Sequence, residues 1–154
     1  MDARNTGVLG AFIALCLLAG CVGAIFTIGG IPGWYSTLRL PALAPPGWVF
    51  GPVWTVLYII MGISAYMVYI RRKTISAMPI FLVQLALNAL WSIVFFGMHS
   101  PLGALFVMAA LWVAIVLTVW DFWKDSRTAG MLLLPYMGWV AFAAALNFAI
   151  WRLN

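Results

Sequence analysis

Glutamate is absent from the sequence, and aspartate occurs three times, at Asp2, Asp121 and Asp125. There is one histidine, His99, and there are two cysteines, Cys16 and Cys21. These shortages exclude chemistry. One histidine rules out a haem held by a pair of them, and His99 with three scattered aspartates offers no ligand spacing for zinc or di-iron, so no metal is expected. His99 follows the third apolar stretch and reads as a solvated turn residue. Cys16 and Cys21 are five apart, which at about 100° per helical residue puts them on different faces and argues against a disulfide. No nucleophile and base pair can be read from the residues.

Charge is scarce as well. Only 7% of residues are charged against 66% hydrophobic, too little polar surface for a soluble domain of 154 residues. Five stretches lack Asp, Glu, Lys and Arg altogether, at about 7–29, 49–70, 75–97, 101–120 and 129–151. At about 1.5 Å per residue, twenty such residues cross the roughly 30 Å hydrocarbon core. The expected fold class is an all-α membrane protein, a bundle of five transmembrane helices. With no linker, charge block or repeat, residues 1–154 read as a single five-span membrane domain. A lipoprotein alternative arises at Leu18-Ala19-Gly20-Cys21, after a short start bearing Arg4. Against it, apolar residues continue through Val22, Ala24, Ile25, Phe26 and Ile28.

The few charges set an orientation. Arg4, Arg71, Arg72, Lys73, Lys124 and Arg127 flank the spans on one side, and only Arg39 and Arg152 fall on the other. Basic residues are held on the cytoplasmic side, which predicts the N-terminus inside and the C-terminus outside. The net charge of +5 then reflects topology and anionic lipid, not nucleic acid, because the basic residues form no patch.

Residues 30–48 form the one long connection, carrying Pro32, Gly33, Pro41, Pro45, Pro46 and Gly47, with Gly29 and Gly30 just before them. These interrupt helix through lost donors and unusual torsions, while Trp34, Tyr35 and Trp48 suit the membrane interface. Two readings stay open: a lid over the outer end of the bundle, or an interfacial anchor. Within the spans, uncharged polarity recurs at helical spacing. Gln84, Asn88 and Ser92 share a face with Trp91 and Phe95; Tyr136, Trp139, Ala143 and Asn147 share another; Trp54, Tyr58, Met61 and Ala65 a third. Such stripes describe either a pocket for a flat apolar ligand or amides that hold helices together. Gly20 with Ala24 and Ala19 with Gly23 permit close helix contact, within one chain or between two. Pro79 and Pro135 fall near helix starts, where a missing amide hydrogen costs little.

Trp34-Tyr35, Leu38, Pro41, Pro45-Pro46, Phe50, Pro52-Val53-Trp54-Thr55 and Leu57-Tyr58 together resemble the translocator protein family, the tryptophan-rich sensory proteins once called peripheral benzodiazepine receptors. Gln84-Leu85-Ala86, Asn88, Trp91 and Phe95-Phe96-Gly97 are similar to its third helix. Pro135-Tyr136, Trp139, Phe142-Ala143, Leu146-Asn147 and Trp151-Arg152 are similar to its fifth. The resemblance implies a homodimeric five-helix bundle whose outward pocket is roofed by the first loop, binding porphyrins, sterols and synthetic benzodiazepine-type ligands. Carried over by motif position, the ligand-binding residues are Tyr35, Pro45, Trp54, Asn88, Trp91, Trp139 and Ala143. No cofactor is required; the expected ligand is a porphyrin similar to protoporphyrin IX, and the expected setting a prokaryotic cell membrane.

The chain departs from the family pattern at Leu40, Leu43 and Val107, where relatives place lysine, tryptophan and an acidic residue. Phe148 replaces the tyrosine of the sterol-recognition pattern, which favours a tetrapyrrole over cholesterol. Three functions follow as expectations. The first is a receptor or carrier in tetrapyrrole handling or stress sensing, with Trp54, Trp91 and Trp139 stacking on the macrocycle, Asn88 and Tyr35 orienting it, and Arg39 or Arg152 near its propionates. The second is an enzyme that degrades porphyrin in light, with Trp54 and Trp139 taking part. The third is a structural scaffold, if the stripes only pack.

Overall fold

The computed structural model describes residues 3–75 and 78–154. Its helices are α1 (Ala3–Gly30), α2 (Phe50–Arg72), α3 (Pro79–Ser92), α4 (Pro101–Asp125), α5 (Arg127–Leu132) and α6 (Leu134–Leu153). Five helical segments are long and apolar enough to cross a bilayer: Arg4–Gly30, Gly47–Arg72, Pro79–Gly97, Pro101–Asp125 and Arg127–Leu153. The protein is therefore all-helical and multi-pass, as its hydropathy requires.

Three boundaries differ from the sequence expectation, each for a local reason. Helix α1 runs through Gly30, one residue past the expected end of the first span at 29. Gly30 is held there by the Phe96 ring, which a Cβ at Gly30 would approach to 2.8 Å. The third span ends in a wider π turn, Ile93–Gly97, which brings three consecutive residues, Val94, Phe95 and Phe96, into the interior. A regular helix would rotate one of them outward. The fifth span breaks at Leu133, because Pro135 has no amide hydrogen to continue the ladder from α5 into α6. Pro79 and Pro101 occupy first-turn positions, where that missing donor is harmless.

The end that carries most of the Lys and Arg, termed inner by that charge and the opposite end outer, is closed by ionic and polar ties. Arg72 donates from Nη1 to Asp121 at 2.8 Å and from Nε to Asp125 at 2.7 Å, joining the ends of α2 and α4. The two aspartates that looked scattered are one helical turn apart and share a single guanidinium. Lys124 lies 3.3 Å from the centre of the Trp120 ring. The buried Ser64 hydroxyl donates to the Ala129 carbonyl at 2.7 Å, fastening α2 to α5.

Helix α1 changes partner along its length. In its inner half it lies on α2: Phe12 meets Tyr69 at 5.2 Å between ring centres, and a Cβ at Gly62 would stand 2.6 Å from the Ile13 Cα. Gly20 receives the Tyr58 ring directly. In its outer half it lies on α3 and the π turn, with Gly23 against Ser92, Phe26 against Gly97 and Gly30 against Phe96. Gly20, Gly23 and Gly30 of α1 thus make contacts within one chain, and α1 leaves α2 above Tyr58.

Candidate ligand cavity

Below that divergence the interior is solid. Met61, Ala65, Val68, Phe81, Phe122 and Tyr136 are all buried there, and Phe81 and Phe122 sit 5.6 Å apart between ring centres. Above it lies a cavity of about 450 Å³, within the range that holds one ligand of drug size.

Helices α1, α2, α3 and α6 each contribute a wall. From α2 come Phe50, Trp54 and Tyr58, with the Trp54 and Tyr58 rings stacked at 5.6 Å and 28°. From α3 and the π turn come Asn88, Trp91, Ser92, Phe95 and Phe96; Trp91 and Phe95 stack at 5.3 Å and 24°. Helix α6 supplies Ala143, Leu146, Asn147 and Ile150, the alanine leaving room where a larger side chain would fill it. Helix α1 supplies Leu17, Gly20, Cys21, Ala24, Thr27 and Ile28. No charged residue is among the walls.

The polar groups are tied into chains between helices. The Tyr58 hydroxyl donates to Asn88 Oδ1. Asn88 Nδ2 donates to the Tyr136 hydroxyl at 3.2 Å, which donates to Gln84 Oε1 at 2.8 Å. Trp91 Nε1 donates to Asn147 Oδ1 at 3.1 Å, and Asn147 Nδ2 to the Pro101 carbonyl at 2.9 Å. The alternatives posed by the stripes therefore coexist: Asn88, Trp91 and Asn147 hold α2, α3, α4 and α6 together and also face the cavity. Bonding to one another lets them border an apolar space without bare donors.

The 31–48 connection covers the outer end. Trp34–Thr37 and Gly47–Val49 form single tight turns. Trp34 packs edge-on to Phe95 at 5.5 Å, and Tyr35 meets Phe96 at 5.7 Å. His99 is exposed as expected, yet its ring also stacks on Trp34 at 4.8 Å and 22°, in a left-handed turn with φ of 52°. The connection is pinned to the far end of the chain: the Arg39 amide donates to Asn154 Oδ1 at 2.9 Å, and Asn154 Nδ2 donates back to the Arg39 carbonyl at 3.2 Å. Ile31 and Tyr35 reach the cavity. Burial raises the pKa of the Tyr35 phenol above its ordinary value.

Of the residues singled out in the sequence, Tyr35, Trp54, Asn88, Trp91 and Ala143 line the cavity, and Pro45 and Trp139 do not. Pro45 lies further along the covering loop. Trp139 packs against Phe50 and Phe142, with its buried Nε1 unpartnered. The wall supplied by α1 was not foreseen. Its signal was the run Gly20, Gly23 and Ala24, which spacing alone assigns to helix contact. Among the described residues no cluster of His, Cys, Asp or Glu is arranged to hold a metal.

A model of the TspO/MBR family matches residues 12–152. The chain is 43% identical over 146 residues to the tryptophan-rich protein TspO of Archaeoglobus fulgidus, covering 94% of this chain and 95% of that one. It is 38% identical over 147 residues to protein CrtK of Rhodobacter capsulatus, covering 93% and 90%. It is 37% identical over 141 residues to the human translocator protein, covering 88% and 83%. The match reaches into all five membrane segments and takes in the covering loop and every wall of the cavity, and the chain belongs to the TspO/MBR family.

Proposed function

We propose that the protein is a membrane receptor or carrier for a planar tetrapyrrole, held between the aromatic walls of the outer cavity. The observation that carries this reading is the pairing of two stacked ring systems, Trp54 with Tyr58 and Trp91 with Phe95, around an uncharged space of about 450 Å³. Flat aromatic walls favour a flat apolar ligand through burial and offset stacking. Asn88 and Tyr35, both on the cavity wall, are the groups expected to orient it. Carboxylates on such a ligand find no counter-charge inside and belong at the outer rim, where Arg39 and Arg152 are exposed. The excess of Lys and Arg at the opposite end supports an orientation with this rim outside the cytoplasm.

The alternative of light-driven porphyrin degradation enlists Trp54 and Trp139. Only Trp54 borders the cavity, and Trp139 stands behind Phe50, which gives binding the stronger support. Titration of protoporphyrin IX into the purified protein, followed by the pigment's visible absorption, tests the reading. Trp54→Leu and Trp91→Leu are expected to weaken binding about tenfold each, near 1.4 kcal/mol, while Trp139→Phe leaves it unchanged. Undiminished affinity in both Leu variants overturns the assignment.

A further inference from the structure

We infer that the cavity fills and empties sideways, through a gap between the outer halves of α1 and α2 that opens onto the hydrocarbon of the bilayer. The gap follows from the change of partner along α1. The two helices touch at Gly62 with Ile13 and at Gly20 with Tyr58, and beyond these α1 turns to Ser92, Gly97 and Phe96. The rims facing each other across the divergence are both cavity walls and exposed: Cys21 and Ile28 on α1, Gly51 and Thr55 on α2. Ile28 is 72% exposed, and a Cβ at Gly51 would meet nothing within 4 Å. From Cys21 to Ile28 the opening runs about 10 Å along the helix at 1.5 Å per residue, and it lies within two segments that span the membrane.

The chemistry of the rims fits lipid, not water. The Thr55 hydroxyl donates to the Gly51 carbonyl at 2.9 Å, and that of Thr27 to the Gly23 carbonyl at 3.0 Å. Each hydroxyl is satisfied by its own helix, so these two threonines offer hydrocarbon no unpaired hydroxyl. The aqueous end differs: the covering loop is held by the Trp34 and Tyr35 ring contacts and by both bonds between Arg39 and Asn154. Among the described residues no hydrogen bond ties the α1 rim to the α2 rim, which leaves the lateral route unfastened. The occupants that fit it are amphiphiles dissolved in the membrane, and in their absence a lipid acyl chain. That the cargo is a tetrapyrrole rests on the proposed function; the portal itself does not.

The test uses the full chain in bilayer nanodiscs containing phosphatidylcholine with a photoreactive diazirine on its acyl chain. Illumination and peptide mapping are expected to find label on Asn88 or Trp91, across the cavity, as well as on the outer surface at Phe106 and Val113. Gly51→Trp, or Thr55→Phe if the former does not fold, is expected to lower the interior label at least fivefold and leave the surface label unchanged. Interior residues without label in the unaltered chain, or interior label that ignores both plugs, overturns the portal. In a second arm, a plug is expected to slow protoporphyrin IX association at least fivefold, while Asn154→Ala, which frees the loop, leaves the rate unchanged; the reverse pattern also overturns it. Interior label with no porphyrin binding sinks the tetrapyrrole reading and leaves the portal standing.

Discussion

The inner and outer halves of the bundle are built from the same helical stripes and do opposite things with them. On α2, Trp54 and Tyr58 border a cavity while Met61 and Ala65, one and two turns further in, are completely buried. On α6, Ala143 and Asn147 border the cavity while Tyr136 is core. The residue types do not separate the halves; the position of α1 does. Where α1 lies against α2, the stripes meet and fill space. Where it turns to α3, the same kind of stripe encloses a void. In this fold a binding cavity is what remains when one helix diverges, and the glycines that let α1 dock at two places decide where that happens.

The contrast can be broken most strongly from the inner side. Phe81→Ala or Phe122→Ala is expected to remove packing that nothing replaces, with a loss of about 3 kcal/mol or more, read as a lowered unfolding midpoint in detergent. Gly62→Ala comes next, at about 1–3 kcal/mol, because its Cβ would press on the Ile13 backbone and not on a yielding side chain. An unchanged midpoint there would show that α1 and α2 do not cross as closely as described. Outer-half changes should act on binding before stability: Trp91→Phe is expected to cost under about 1.5 kcal/mol of stability while weakening porphyrin measurably in the same titration. The smallest effect belongs to Tyr58→Phe, which keeps the ring and removes the bond to Asn88, for a loss of about 0.6 kcal/mol in the melting experiment.

Much of this was legible in the sequence. The wall residues of α2, α3 and α6 were marked by polar and aromatic groups recurring at helical spacing, because a buried amide or indole in a membrane helix faces other helices. Helix α1 carried no such mark. Its wall is made of Leu17, Gly20, Cys21 and Ala24, and small apolar residues look alike whether they border a cavity, another helix or lipid. The π turn was invisible for a related reason: Ile93-Val94-Phe95-Phe96-Gly97 is apolar throughout, and only the fit of Phe96 to Gly30 and of Gly97 to Phe26 reveals a use for the wider turn. Trp139 carried the same mark as Trp54 yet packs outside the walls, since one turn of a stripe can belong to the cavity and the next to its backing.

Residue order alone is enough to make this a helical membrane protein with five crossings and to mark which faces of α2, α3 and α6 look inward. The bilayer imposes that: an unpaired backbone or an ionised side chain in hydrocarbon is so costly that length, charge and spacing leave little choice. Where the interior is hollow was settled by the packing of the folded chain. That depends on fits between residues far apart in the chain, Gly62 with Ile13 and Gly30 with Phe96, whose energies come from contact and leave no periodic trace.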